Sequence, residues 1–199
     1  MQIEVRVRAK IEKKEEIIRK LEEKGAYFEG KNDSTSWYYG KELFKKKGVQ
    51  LRVLEYRYPE DEKKIYLTYK EPQKEGSFEL REIFGELKRN SKVFERLGFT
   101  SRDFTTPIDA EKTFEDNGLE KFLEVNISDE KKYRYGVFEI KTFRIEELSL
   151  DLIEIELNVA WEKDIPKAKE EIYTMMKELG ISKANEVKKC GMEMVFATL

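Results

Sequence analysis

The amino-acid sequence predicts an α+β fold: an antiparallel barrel or tunnel of approximately eight β-strands with helices packed outside it. Segments in which polar and apolar residues alternate, the period of a half-buried strand, dominate the chain. Between them lie shorter segments with apolar residues at helical spacing, and the order strand, helix, strands occurs twice. Since each strand has one apolar face for helices to cover, the pattern suits a closed sheet made of two similar halves.

The predicted strands follow this period of two along most of the chain. Each has β-branched or aromatic residues on one face and charged residues on the other. Gly and Pro residues separate many of them, as expected for turns between strands. The segments are Ile3–Ala9, Val49–Tyr58, Lys64–Lys70, Phe78–Phe84, Tyr133–Ile145 and Leu150–Val159.

Three helices are predicted, and each ends at a glycine. The first covers Lys13–Lys24 and carries Ile and Leu on one face. The second is the short segment KVFERL, which Ser91 is placed to cap. The third begins at Asp164 with Pro166 in its first turn, the usual place for a helical proline, and ends before Gly180.

The whole chain, 1–199, is expected to form a single domain with halves of about 1–90 and 91–199. No low-complexity linker separates the halves, which favours one cooperative unit. The segment from Thr100 to Glu130 is less periodic, and both a short helix and an extra hairpin remain open for it.

The composition narrows the classes of function. Lys and Arg total 39 against 41 Asp and Glu, so the net charge of −2 predicts no general attraction to nucleic acid or to anionic membranes. The chain has no histidine, which argues against a zinc site or a histidine-dependent triad. A metal, if bound, would have oxygen ligands, which favours Mg²⁺ or Mn²⁺.

Localisation is predicted from cysteine and hydropathy. Cys190 is the only cysteine, so no disulfide can form within the chain and a reducing compartment is expected. No apolar run approaches the ~20 residues of a membrane span. We therefore expect a cytoplasmic protein. The sequence does not fix the oligomeric state, and both a monomer and a homodimer remain open.

The charged faces of the predicted strands carry the functional prediction. If helices cover the apolar faces, the charged faces must point into the barrel. An interior lined by Arg and Lys attracts a polyanion, and clustered carboxylates attract a divalent cation, so a phosphate chain with a metal satisfies both. The residues concerned are Gln2, Glu4, Arg6, Arg8, Arg52, Lys70, Arg81, Glu82, Lys132, Arg134, Glu154 and Glu156.

These segments together resemble the CYTH superfamily, the triphosphate tunnel metalloenzymes, which includes class IV adenylate cyclases and thiamine triphosphatases. The family's E-x-E-x-K strand is matched by QIEVR at residues 2–6, and its L-T-Y-K-x-P segment is intact as LTYKEP. Its L-R-x-R strand is matched by LRVL, its R-E-rich strand by LREIF, its K-x-R strand by KKYRY, and its late E-I-E by Glu154–Glu156. The resemblance covers most of the chain in the family's order.

The chain departs from the family pattern at several positions. Gln2 replaces the first acid of the opening motif, Arg6 replaces its lysine, and Leu54 replaces the second arginine of L-R-x-R. The acid expected to alternate with Arg81 falls on Ile83, so the register of Arg81 and Glu82 is open. The divergence puts the competence of the site in question.

The resemblance implies a metal-dependent phosphohydrolase acting on a small-molecule triphosphate, either inorganic or organic. Catalysis is expected to involve Glu4, Arg6 and Glu156. The implied phosphate-binding residues are Arg6, Arg8, Arg52, Lys70, Arg81, Lys132 and Arg134, and the implied ligands of Mg²⁺ or Mn²⁺ are Glu4, Glu82, Glu154 and Glu156.

Three alternatives remain. A class IV-type adenylate cyclase would use the same cradle and differ in recognising the base. A non-catalytic module that binds a polyphosphate or nucleotide is favoured by Gln2 and Leu54. In the third alternative the charged faces are simply solvated surfaces of an antiparallel α+β protein.

Overall fold

The computed structural model describes residues 3–60, 62–72, 80–87, 92–99 and 106–199. Within these residues the chain forms eight β-strands and six α-helices, which confirms the predicted α+β class. The elements are β1 (Ile3–Lys10), α1 (Lys14–Glu23), β2 (Tyr27–Tyr39), α2 (Lys41–Lys47), β3 (Gln50–Arg57), β4 (Lys63–Pro72), β5 (Leu80–Glu86), α3 (Lys92–Leu97), α4 (Pro107–Asp116), β6 (Lys121–Tyr135), β7 (Phe138–Ile145), β8 (Leu150–Val159), α5 (Ile165–Glu178) and α6 (Gly191–Phe196).

The eight strands form one antiparallel sheet in the order β1-β8-β7-β6-β2-β3-β4-β5. Within the described residues β1 and β5 are the two ends of this order, so the sheet is not closed there. Neighbouring strands such as β7 and β8 are joined by short connections, as expected for antiparallel pairs.

The chain divides into two compact units. The first comprises Met1–Asp33 and Ile127–Leu199, and the second comprises Ser34–Asn126. Both β2 and β6 continue from one unit into the other. The single-domain organisation expected from the sequence stays a prediction.

The core of the first unit lies between one face of the sheet and two helices. Strands β1 and β8 contribute residues such as Val7 and Ile155, while α5 contributes Ile172 and Met176. The helix α1 packs on the same core through Leu21, which is fully buried. The helices therefore cover the apolar face of this part of the sheet and leave the opposite face for polar side chains.

The core of the second unit also lies between helices and one face of the sheet, here between α3, α4 and the strands β3 and β4. Leu51, Val53 and Leu67 of β3 and β4 are fully buried and pack with Phe94 of α3 and Phe114 of α4. The α4 helix lies in the segment for which the sequence left a helix or a hairpin open. It begins with a capping box in which Thr106 accepts from the backbone N–H of Asp109, with Pro107 in its first turn.

Several elements differ from the sequence-based expectations. The segment Tyr133–Ile145 is two strands, because Gly136 adopts a φ of 56° and turns the chain between β6 and β7. The strand β2 was not predicted, since its middle is rich in Asn, Asp, Ser and Thr. The seven-residue helix α2, whose last turn is a run of three lysines, was not predicted either.

Among the described residues every helix is too short or too polar to cross a lipid bilayer.

Candidate functional site

The first unit carries two rows of charged side chains across four neighbouring strands. Register fixes the rows, because directly opposed residues on antiparallel strands lie on the same face. The first row, in the order β1, β8, β7 and β6, is Arg8, Glu154, Lys141 and Lys132. The second row is Arg6, Glu156, Glu139 and Arg134. We call the face that bears these two rows the polar face.

The polar face follows from alternation along each strand. Val7 of β1 and Ile155 of β8 are directly opposed and lie in the core under α1 and α5. Their neighbours in sequence must point the other way, since successive side chains of a strand alternate between faces. This is why Glu154 and Glu156, on either side of Ile155, share the polar face. The sequence-based prediction that these two carboxylates lie together is therefore met within the first unit.

Both carboxylates are buried, at 5% exposure each, and both are paired with cations. The guanidinium of Arg8 donates a short hydrogen bond to Glu154. Arg6 lies 3.4 Å from Glu154 Oε1 and 3.7 Å from Glu156 Oε1. A buried carboxylate requires such compensation, because burial without a partner strongly disfavours the charged form.

Lys141 is the main partner of Glu156. Its Nζ lies 3.1 Å from Oε1 and 3.2 Å from Oε2 of Glu156. The same ammonium lies 3.9 Å from Oε1 of Glu154, so it contacts both carboxylates. Lys141 is not among the site residues predicted from the sequence. Its signal was the alternation in FEIK, which puts Glu139 and Lys141 on one face of β7.

The two carboxylates differ in acidity because their surroundings differ. Burial acts to raise the pKa of Glu154, but the positive charges of Arg8 and Arg6 outweigh it and lower that pKa. Burial also raises the pKa of Glu156, and its hydrogen bond with Glu154 adds to the rise against the opposing charge of Lys141. The pair thus has one firmly ionised carboxylate and one that holds its proton to higher pH.

The two arginines of this site have different surroundings. Arg8 is the more enclosed, with a side chain 15% exposed, and its second terminal nitrogen donates to the carbonyl of Lys189 at 3.2 Å. Arg6 is 41% exposed and also lies 3.3 Å from Glu4. Glu4 shares the polar face with Arg6 and sits opposite Asn158.

The predicted cations of β6 are the last residues of the two rows. Lys132 is directly opposed to Lys141 and lies 3.3 Å from Glu130, a buried carboxylate that was not predicted from the sequence. An irregularity in the β6–β7 register between Ser128 and Lys131 precedes Lys132. Arg134 is paired with Glu29 at 2.6 Å and with Glu139 at 3.3 Å.

In the second unit, Arg52 and Lys70 lie on one face of β3 and β4. Arg52 is opposed to Thr68 and donates to its hydroxyl at 2.8 Å, and Lys70 is opposed to Gln50. Ser36 Oγ and Tyr38 OH lie 3.5 Å and 3.4 Å from the guanidinium of Arg52. These contacts orient Arg52 on the face opposite the core.

The same face of the second unit continues into aromatic residues. Leu54 is buried at 2% exposure and is opposed to Tyr66. The ring of Tyr66 stacks on that of Phe84 at 4.6 Å and meets that of Tyr56 edge-on at 5.8 Å. The position at which the family pattern has a second arginine is therefore apolar in its surroundings as well as in its side chain.

Some predicted site residues lie outside the described part. Gln2 is one of them. The backbone register opposes position 82 to Lys70 and position 81 to Glu71, and the side chains of Arg81 and Glu82 lie outside the described residues. The roles assigned to these three residues stay predictions.

The acidic residues expected to bind a metal do not all come together among the described residues. In the described part of the chain, no three Asp, Glu, Cys or His side chains come close enough to hold one ion. Glu154 and Glu156 lie side by side on β8, Glu139 of β7 is directly opposed to Glu156, and Glu4 is turned to Arg6.

Solved structures share this fold. The PH1819 protein of Pyrococcus horikoshii matches at a TM-score of 0.72 and 23% identity, covering 99% of this chain and 100% of its own. A candidate adenylate cyclase from Vibrio parahaemolyticus matches at 0.71 and 12% identity, over 98% of each chain. HpAC1 of Hippeastrum, a candidate adenylyl cyclase described with a dominant triphosphatase activity, matches at 0.65 and 14%, covering 100% of this chain and 96% of its own.

At these identities the structures establish the fold alone. No match was found among curated protein sequences. The model of the CYTH domain matches residues 1–190, which is nearly the whole chain. The resemblance carried by QIEVR, LTYKEP and EIE is thereby confirmed: the chain belongs to the CYTH family.

Proposed function

We propose that this chain is a metal-dependent phosphohydrolase that binds a triphosphate, inorganic or organic, on the polar face of the first unit. The observation that carries the proposal is the two cross-strand rows, which bring cations and carboxylates of four strands together. Two lysines, Lys132 and Lys141, are directly opposed in the first row. Opposed like charges destabilise a sheet, and here carboxylates compensate each lysine, Glu130 for Lys132 and Glu156 for Lys141; a bound anion would compensate both lysines at once.

The chemistry follows from the charges. Three partly exposed cations can donate hydrogen bonds to phosphate oxygens: Arg6, Lys132 and Arg134. A guanidinium can donate two such bonds side by side, and a lysine offers a single charged donor group. Holding the phosphate chain by several cations positions it and neutralises charge that spreads over the transferring phosphoryl group. Arg8 is more enclosed and holds Glu154 in place. The roles of Arg52, Lys70 and Arg81 in binding phosphate stay predictions from the sequence.

Metal dependence is general in the CYTH family, and the donor chemistry of the site fits a hard divalent cation. Mg²⁺ is commonly bound by one or two carboxylates together with phosphate oxygens and water. Glu154 and Glu156 supply such a carboxylate pair, and Glu4 lies on the same face. When bound, Mg²⁺ or Mn²⁺ would neutralise phosphate charge and polarise the bond to be broken. Catalytic roles for Glu4, Arg6 and Glu156 remain part of the proposal.

The alternatives are separated by their products. A class IV-type cyclase would release pyrophosphate and cyclic AMP from ATP, whereas a binding module would release nothing. Gln2 and Leu54 favour a module, and so does the compensation of Glu154 and Glu156 by cations of the chain itself. A cytoplasmic location is part of the proposal as well.

The deciding experiment measures phosphate release from inorganic triphosphate and from ATP, with EDTA, Mg²⁺ or Mn²⁺. We expect release from at least one of the two that requires a divalent cation. Cyclic AMP as the main product would select the cyclase. Binding of triphosphate without turnover under every metal would select the module.

A further inference from the structure

The ammonium group of Lys141 sits between the two carboxylates proposed to hold the metal. Its Nζ contacts Glu156 through both oxygens, at 3.1 Å and 3.2 Å, and Glu154 through Oε1 at 3.9 Å. An ammonium that contacts several carboxylate oxygens at once satisfies the same negative charge that a divalent cation would satisfy. Lys141 therefore already compensates this pair.

Lys141 is also the cation of the site best suited to leave. Its side chain is 27% exposed and ends in a compact charge on a flexible stem. Arg8, by contrast, is 15% exposed and is fixed by a second hydrogen bond to the carbonyl of Lys189. Arg6 is more exposed than Lys141, at 41%, but it is held by three carboxylates: Glu4 at 3.3 Å, Glu154 at 3.4 Å and Glu156 at 3.7 Å.

A divalent cation and this ammonium cannot both occupy the pair. Charges of the same sign at contact distance repel strongly in a partly buried site, where screening by water is weak. Binding of the metal by Glu154 and Glu156 thus requires Lys141 to move. Its directly opposed neighbour on β6 is Lys132, so the freed ammonium remains beside another lysine on the polar face.

We propose that Lys141 is an internal counter-cation of the Glu154–Glu156 pair, displaced when a divalent cation binds and then available to the triphosphate. The inference rests on the proposed function and adds how its metal site is controlled. In the metal-free protein the lysine keeps the buried carboxylates compensated. In the loaded protein it becomes a phosphate-binding residue, which makes metal and triphosphate bind cooperatively.

The test measures Mn²⁺ affinity without substrate, by electron paramagnetic resonance of free Mn²⁺. Lys141→Met removes the competitor and keeps the length of the side chain. If the ammonium occupies the pair for about nine-tenths of the time, its removal tightens Mn²⁺ binding about tenfold. Lys141→Arg keeps the charge and is expected to give no gain. Arg144→Met is a matched control, because it removes an ion pair with Asp151, at 2.9 Å, from the opposite face of β7 and β8.

The outcomes of the Mn²⁺-binding test distinguish support for the inference from its failure. Tighter Mn²⁺ binding in Lys141→Met, but not in Lys141→Arg or Arg144→Met, supports the inference. Mn²⁺ binding by Lys141→Met that is unchanged or weaker than in the wild type overturns the inference. Failure of both the wild type and Lys141→Met to bind Mn²⁺ overturns it as well. If Lys141→Met does not fold, Lys141→Gln takes its place, since the amide keeps a donor for Glu156. Tight Mn²⁺ binding without phosphate release from any triphosphate would defeat the proposed function and leave this inference standing.

A second readout tests the fate of the displaced ammonium. A non-hydrolysable imidotriphosphate is titrated into the wild type and Lys141→Met, with and without Mn²⁺. In the wild type, Mn²⁺ is expected to strengthen binding of the analogue more than it does in Lys141→Met. An equal gain in both proteins would overturn the claim that Lys141 passes from the carboxylates to the phosphates.

Discussion

Arg8 of β1 and Glu154 of β8 are directly opposed, and the guanidinium of Arg8 donates to the carboxylate of Glu154. Both side chains are largely enclosed, at 15% and 6% exposure. A second hydrogen bond ties Arg8 to the carbonyl of Lys189, in the segment that leads into α6. The pair thus links β1, β8 and the segment that leads into α6.

Arg8→Met is expected to destabilise the protein by about 3 kcal/mol, because it leaves a buried carboxylate without its main partner. Urea unfolding followed by circular dichroism measures the loss. Arg19→Met is the control, since Arg19 forms an exposed pair with Glu23 on α1 and such pairs contribute less than about 1 kcal/mol. A loss for Arg8→Met no greater than for Arg19→Met would contradict this structural role.

The positions of Glu154 and Glu156 were predictable because their signal is local. Strict alternation in LIEIEL fixes the face of each residue, and register then brings Arg6 and Arg8 opposite them. The role of Lys141 was not predictable in the same way. Its contacts depend on the pairing of β7 with β8, a long-range property that no period in a single segment reveals.

Other misses have equally specific causes. The strand β2 contains the run NDST, whose residues favour turns, and tertiary pairing overrides that preference. Glu130 lies at an irregularity of β6, and an extra residue in a strand defeats a simple alternation rule. The capped start of α4 was readable from the TTPID segment, yet the few apolar residues that follow gave no clear helical period.

Glu154→Gln together with Glu156→Gln is expected to lower phosphate release about 100-fold or more while the fold is retained. The change removes both carboxylates of the proposed metal site but keeps side-chain oxygens for Arg8 and Lys141. Steady-state phosphate release with Mn²⁺ measures activity, and circular dichroism measures the fold. Asp151→Asn is the matched control, because Asp151 is a carboxylate of the same strand on its opposite face, paired with Arg144. Activity that survives the double change would remove both glutamates from the metal site.

Lys132→Met is expected to weaken triphosphate binding about tenfold, equivalent to about 1.4 kcal/mol. Lys132 is opposed to Lys141 on the polar face and is 32% exposed, so it can reach a bound anion. The change is expected in KM more than in kcat if Lys132 holds the substrate equally in the ground and transition states. Lys131→Met serves as the control, since Lys131 points to the opposite face and lies near Glu15 and Asp129. Equal effects of the two substitutions would argue against a specific contact.

Leu54→Arg restores the second arginine of the family's L-R-x-R pattern, yet we expect it to destabilise the protein by about 3 kcal/mol. The position is 2% exposed and opposed to Tyr66, so the new charge would be buried among aromatic residues. Urea unfolding measures the effect, and Gln50→Arg on the same face of β3, at a half-buried position, is expected to cost less. A Leu54→Arg protein as stable as the wild type, with tighter triphosphate binding, would show that this position belongs to a phosphate site.

The stability of the second unit is expected to fall at alkaline pH through Tyr39. Burial, and then the nearby charges of Glu111 and Glu115, raise the pKa of Tyr39 above its ordinary value. In the unfolded chain the phenol ionises near pH 10, whereas in the folded chain it stays neutral. The unfolded state therefore binds fewer protons above about pH 10, and stability decreases by up to about 1.4 kcal/mol per pH unit from this one group.

Tyr39→Phe keeps the ring that packs on Phe114 at 4.8 Å and removes the ionisation, so its stability should decline less between pH 9 and pH 11. Urea unfolding across this range measures the difference. Tyr27→Phe controls for the loss of a hydroxyl, because Tyr27 is 71% exposed. Parallel pH profiles for the wild type and Tyr39→Phe would mean that the Tyr39 phenol is not held neutral by its burial.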